Sequence, residues 1–176
     1  MWAKCQPAVE DSVCRNNENL SQVMFFRFEE DFVESNIRCI PMIVRFKLDA
    51  CGIKLKLAEW SRMKPAEREH FAKADCNSPV ETSRYREDLR RLILERTGND
   101  ATEIGVEEHP TWAVMDEIPY SVRAKLAEGH GSVSLQQWRQ LSVLQRFVLV
   151  KLSYPGHENK NFPKALAEFG LAGSES

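Results

Sequence analysis

No stretch of this sequence approaches the ~18 consecutive apolar residues of a membrane-spanning helix, and residues 1–20 lack the apolar run of a secretory signal. A cytoplasmic chain without membrane contact is therefore expected. The five cysteines, Cys5, Cys14, Cys39, Cys51 and Cys76, include no Cys-x-x-Cys. An odd count without an export signal argues against a disulfide framework. With no close ligand pair, a zinc site has no support either. The four histidines, His70, His109, His130 and His157, form no His-x-x-x-His. There is no Walker-type loop, no Gly-x-Gly-x-x-Gly and no Gly-x-Ser-x-Gly, so classical nucleotide binding and serine hydrolysis are unsupported. No catalytic residue, metal or cofactor is expected on these grounds. Basic excess is missing too. Lys and Arg total 24 against 26 for Asp and Glu, a net charge of −2, and a general nucleic-acid binder would be strongly basic.

What remains is an ordinary soluble composition: 176 residues, 43% hydrophobic and 28% charged, enough for one compact domain. Residues 1–22 are polar and aperiodic and read as a disordered tail. Order is expected from Val23, so the domain is placed at 23–173. Phe25, Phe26, Phe28 and Phe32 follow closely and need a core to cover them. Phe28 and Phe32 suit one face of a short helix, while Phe26-Arg27-Phe28 could equally be an extended lead-in.

The most informative feature is an internal repeat. Residues 40–60 align without a gap to residues 118–138, at an offset of 78, and the register runs on to Lys73 and Lys151. Ten of 34 positions are identical, including Pro41/Pro119 and Trp60/Trp138. The spacing predicts an all-α domain of six to eight helices, built from two pseudo-symmetric helical units around one core. Unit one spans about 38–98, a connector 99–117, and unit two about 118–170. Pro41 and Pro119 are placed in first helical turns. Gly52, and Gly129 with Gly131, are expected to stop those helices. Ser134 and Ser142 are expected N-caps, and Pro65 stands at the first position of another helix. Ser78, Pro79 and Glu81 make a capping box ahead of a helix ended by Gly98. Leu55 and Leu57 with Val133 and Leu135 allow a brief strand contact between units. Trp112 is expected to pin the connector. Val44, Leu48, Trp60, Leu89, Leu92, Val122, Leu126 and Trp138 are the expected core, with Cys51 packing as a small hydrophobe.

Three stretches then carry a resemblance: Phe26-Arg27-Phe28-Glu29 through Asp31-Phe32, RCIPMIVRFKLDACGIKLKLAEW at 38–60, and LQRFVLVKLSYPGHENKNF at 144–162. Over roughly residues 25–169 the chain resembles the nitrate reductase-associated protein family. The resemblance implies a small soluble protein linked to assimilatory nitrate reductase. It implies a non-enzymatic accessory or maturation role with that enzyme as partner.

Two constellations are candidate partner or ligand contacts. His157, Glu158, Asn159, Lys160 and Asn161 place an imidazole, a carboxylate, two amides and an ammonium in five loop residues. They could bind an anion, a metal or a peptide backbone, or cap the last helix from Asn161. Unit one has no counterpart there. The repeated arginines Arg45 and Arg123 could converge on an oxyanion, since guanidinium binds it bidentately, or could pair with carboxylates; Arg45 has Asp49 at i+4. The alternative function is thus a small anionic ligand- or cofactor-binding protein that uses the 157–161 loop, possibly an enzyme. The helix at 79–97 interleaves five arginines with acids, which suits a solvated face better than DNA.

Overall fold

The computed structural model describes residues 25–29, 39–156 and 159–171. The tail assigned to residues 1–22 lies outside them, as do Phe32, His157 and Glu158. Among the described residues the chain forms eight α-helices: α1 (Met42–Cys51), α2 (Leu57–Arg62), α3 (Pro65–Lys73), α4 (Pro79–Thr97), α5 (Tyr120–Leu126), α6 (Leu135–Gln140), α7 (Val143–Ser153) and α8 (Phe162–Glu168). A two-residue β1 (Ile53–Lys54) pairs antiparallel with β2 (Thr102–Glu103), with Ile53 opposite Glu103. The fold is mostly helical, as the spacing predicts. The strand contact differs from the expected one. β1 takes its partner from the connector, and Leu55 and Val133 are buried outside any strand.

The helix ends follow local chemistry. Ser78 Oγ accepts the Glu81 N–H at 3.3 Å while the Glu81 carboxylate accepts the Ser78 and Asn77 N–H groups, closing a capping box. Ser134 and Ser142 cap α6 and α7 by accepting from Gln137 and Gln145 at 3.2 and 3.1 Å. Pro65 and Pro79 begin their helices, where a missing N–H costs nothing. Pro41 and Pro119 stand one residue earlier than expected, at the N-cap positions of α1 and α5. Beside Pro41, the first free N–H of α1 is satisfied from far upstream: buried Glu29 accepts the Met42 N–H at 2.9 Å and the Phe26 N–H at 3.1 Å. The Arg27–Glu29 segment forms a 3-10 turn. Glu168 accepts the Arg27 and Phe28 N–H groups at 3.0 and 3.2 Å, and Phe26 meets Phe169 edge-on.

Helix α7 is the centre of the core. Leu144, Arg146, Phe147, Val148, Leu149, Val150 and Leu152 are all buried, the signature of a helix with no solvent face. α1, α5 and α8 pack around it. Of the expected core, Val44, Leu48, Trp60, Leu89, Val122, Leu126 and Trp138 are buried, as is Cys51; Leu92 is only half-buried. The connector is tied down at three points. Arg146 Nε donates to Trp112 O at 2.8 Å, Trp138 Nε1 to Val114 O at 2.9 Å and Arg139 Nε to Met115 O at 2.9 Å. The Trp112 ring packs edge-on against Phe147.

Gly52 ends α1 in the left-handed region (φ 69°), and a Cβ there would lie 2.9 Å from Ile104 O and 3.0 Å from Arg86 Nη1. Gly98 ends α4 at φ 73° in open space. Both positions strain an L-residue by about 1–2 kcal/mol. Gly52→Ala is therefore expected to lower unfolding free energy more than Gly98→Ala, because it adds a steric clash to the same backbone penalty. Equal losses in urea unfolding would show that the Ile104 contact yields freely.

Arg96 joins α4 to α3 by gripping Glu67 through both Nε, at 3.1 Å, and Nη2. That guanidinium, helped by the Lys64 N–H, holds the Glu67 carboxyl down at about 2, against 4.5 without such partners. The unfolded chain therefore binds a proton below about pH 4.5 that the folded chain refuses. The pair's contribution is present above that value and is lost as pH falls toward about 2. Glu67→Gln is expected to flatten the acid limb of the stability curve in that window. An unaltered limb would place the acid sensitivity in other carboxylates.

Candidate functional site

The surface feature that gathers most of the chemistry is a groove of about 630 Å³. Helix α1 supplies one wall. Because Ile40, Val44 and Leu48 turn inward at helical spacing, Arg45 and Asp49 stand at the edge of that apolar stripe, and both line the groove. Gly52 then reverses the chain, so Ile53, Lys54 and Leu55 return along the groove before α2 begins at Leu57. The β1–β2 pairing delivers Ile104 to the same place. The opposite wall is the end of α7 and the turn after it: Lys151, Tyr154, Pro155, Gly156 and Asn159.

Floor and rim differ in character. Ile40, Leu48, Ile53 and Leu55 are buried, so the floor is continuous with the core. Leu57, Ile104 and Tyr154 remain exposed at 39%, 39% and 53%. The fixed charges are bound across the groove. Lys151 Nζ lies 2.7 Å from Asp49 Oδ2 and within 5.3 and 5.2 Å of the Trp112 and Phe147 ring centres. This ion pair replaces the expected Arg45–Asp49 pair. The helical spacing allowed i,i+4 pairing, but a half-buried ammonium on a neighbouring helix needs the carboxylate more. Arg45 Nη1 lies 3.9 Å from Met42 Sδ.

The sequence-based candidates divide. Arg45 and Asn159 meet in the groove. Arg123 is exposed on α5 and does not line it, so the two repeated arginines do not converge there. Lys160 is exposed on the 3-10 turn Asn159–Asn161. Asn161 stands at the N-cap of α8, yet its side chain makes no cap hydrogen bond; it is 6% exposed and its Oδ1 has no hydrogen-bond partner. His157 and Glu158 lie outside the described residues. The repeated lysines also take separate duties. Lys47 is buried and donates to Ala72 O at 2.6 Å, closing the end of α3, and burial pulls its pKa down. Lys125 pairs with Glu128 at the surface.

Other expectations can be placed. The α4 arginines are largely engaged: Arg86 with Cys51 O and Glu103, Arg90 with Glu103, Arg91 with Asp88 and Arg96 with Glu67. Burial pushes the Cys51 thiol up to about 11, which keeps it protonated and inert. Among the described residues no group of three His, Cys, Asp or Glu side chains is arranged to hold a metal, and no helix is long and apolar enough to cross a membrane. Sequence reasoning missed Lys54, Leu57, Ile104, Lys151 and Tyr154 as groove residues. Only Tyr154-Pro155 carried a local signal, as the turn that opens the 157–161 loop.

Residues 25–169 match the family model described as the conserved nitrate reductase-associated protein, and the chain belongs to that family. No curated protein and no solved structure matches it.

The orphaned Asn161 oxygen separates a capping role from another one. A capping Asn is worth about 1 kcal/mol over Ala, whereas a buried unpaired oxygen costs free energy to retain. Asn161→Ala is therefore expected to leave stability unchanged or raised. A loss of about 1 kcal/mol or more in urea unfolding would restore the cap.

Proposed function

We propose that this member of the nitrate reductase-associated family is a non-enzymatic, cytoplasmic accessory protein. It associates with assimilatory nitrate reductase and supports that enzyme's assembly or activity. The family is named for the association. The observation that carries the reading is the groove, where an apolar rim and fixed charges make a surface of mixed character. A partner-binding face needs such a surface, because large apolar side chains are left together in solvent mainly where something covers them. A second reading, a small anionic ligand or cofactor held in the same groove, draws support from its volume, which falls within the range of ligand pockets.

The internal repeat bears on where the contact lies. We read the chain as two duplicated units, and several features support this. α2 and α6 begin and end at the same offset of 78 (57–62 and 135–140). Trp60 and Trp138 are both buried within them. The Met63 and Leu141 N–H groups return to those tryptophan carbonyls at 3.2 and 3.3 Å. Arg68 Nη1 donates to Met63 O at 2.5 Å, and Arg146 Nη1 to Leu141 O at 2.6 Å. The units part company after α3 and α7. Unit one runs from Cys76 directly into the Ser78 cap of α4, while unit two opens at Tyr154 into the groove loop. The stretch after α7, which has no counterpart after α3, adds Tyr154, Pro155, Gly156 and Asn159 to a groove whose other wall comes from α1 and the β1–α2 corner.

The test is affinity capture of the tagged full chain from nitrate-grown cells, with mass spectrometry of the recovered proteins and analysis of the purified bait for metal and small molecules. Nitrate reductase recovered with a bare bait is the expected result. A stoichiometric small molecule or metal with no nitrate reductase would replace this reading with the second one.

A further inference from the structure

We infer that the groove between α1, the β1–α2 corner and the end of α7 takes a segment of the partner polypeptide in which apolar side chains flank a carboxylate. The inference rests on the association proposed above and adds the face, the residues and the chemistry of the segment. Three large apolar side chains left exposed, Leu57, Ile104 and Tyr154, line this one groove. Among the described residues the lining also carries the cations Arg45, Lys54 and Lys151 and the carboxylate Asp49. Asp49 is already taken by Lys151. Lys54 is exposed and belongs to no ion pair among the described residues. A purely apolar occupant would strip water from the Lys54 ammonium without replacing it. A purely acidic one would leave the three apolar rim side chains unpaired. An occupant with both characters satisfies both halves of the groove.

A polypeptide is favoured over an enclosed small acid because the groove is open. Small-molecule sites bury most of the ligand surface, whereas rim side chains here keep 39–53% exposure. That leaves room for a chain that passes across and inserts one or two side chains. Apolar anchors at the centre would then supply most of the affinity, and the cations would contribute register and encounter rate.

The experiment measures binding of the purified full chain to purified nitrate reductase by biolayer interferometry, at low and high salt. Leu57→Asp and Tyr154→Ala are expected to weaken binding about tenfold or more. Lys54→Glu should act mainly on the association rate and reduce its salt dependence. Val80→Asp and Tyr120→Ala alter exposed apolar side chains outside the groove and should bind as wild type. Thermal unfolding of each variant separates lost contact from lost fold. A photo-crosslinking residue at position 154 should mark one enzyme segment that contains Asp or Glu among apolar residues. Wild-type binding by all the folded groove variants, or a crosslinked segment without a carboxylate, would overturn the inference while leaving the association intact. If the wild-type chain itself fails to bind the enzyme in either its apo or mature form, the proposed function fails first.

Discussion

The structure depends on burying a helix that has no solvent side. α7 offers apolar side chains around its whole circumference, and fully burying each one is worth about 1.5–3 kcal/mol. It also carries two cations, Arg146 and Lys151, which must enter the interior or its margin with it. Each can do so only if its charge finds a partner. Arg146 is 4% exposed and donates to Leu141 O and Trp112 O. It thereby fixes the turn before α7 and pulls the connector onto the core. Lys151 meets Asp49 of α1 and lies near two aromatic rings. The connector and α1 are thus joined to α7 where it would otherwise leave a charge unmatched, and the groove forms along the second of those joints.

This origin explains which parts were legible in the sequence. Caps, helix-starting prolines and stopping glycines act within four residues of themselves. Ser78–Glu81, Ser134–Gln137 and Ser142–Gln145 could therefore be read directly. The core positions Val44, Leu48, Val122 and Leu126 were legible because a helix repeats its inward face every three or four residues. The matching spacing of residues 40–60 and 118–138 showed that pattern twice. Leu92 fell short of burial because α4 turns a narrow stripe inward, through Tyr85, Leu89 and Ile93.

Contacts across long separations were not legible. Asp49 had two possible basic partners, Arg45 four residues away and Lys151 about a hundred away, and only packing decides for the second. β1 finds β2 in the connector because the turn at Gly52 directs it there, with Ile104 N–H donating to Gly52 O at 3.0 Å. A two-residue strand has no alternation by which a sequence could announce it. Asn161 failed for a different reason. Its residue type and its place before Pro163 both signalled a cap, yet its backbone is helical (φ −85°, ψ −6°) rather than extended, and its side chain makes no cap hydrogen bond.

The groove therefore joins two kinds of residue under different constraints. Asp49 and Lys151 hold α1 against α7, so replacing either one disturbs the scaffold as well as the surface. Ile40, Leu48, Ile53 and Leu55 belong to the core and are fixed by packing density. Leu57, Ile104, Tyr154 and Lys54 carry no such duty. They stand at the start of a short helix, after a two-residue strand, in the turn that follows α7, and at a strand end. Such positions tolerate change while the fold persists. An apolar floor fixed by packing, beside an ion pair that joins two helices and under an adjustable rim, is suited to taking a partner while the scaffold stays constant. In the docking proposed above, changes in specificity would fall on those four rim side chains, which can vary without disturbing the scaffold.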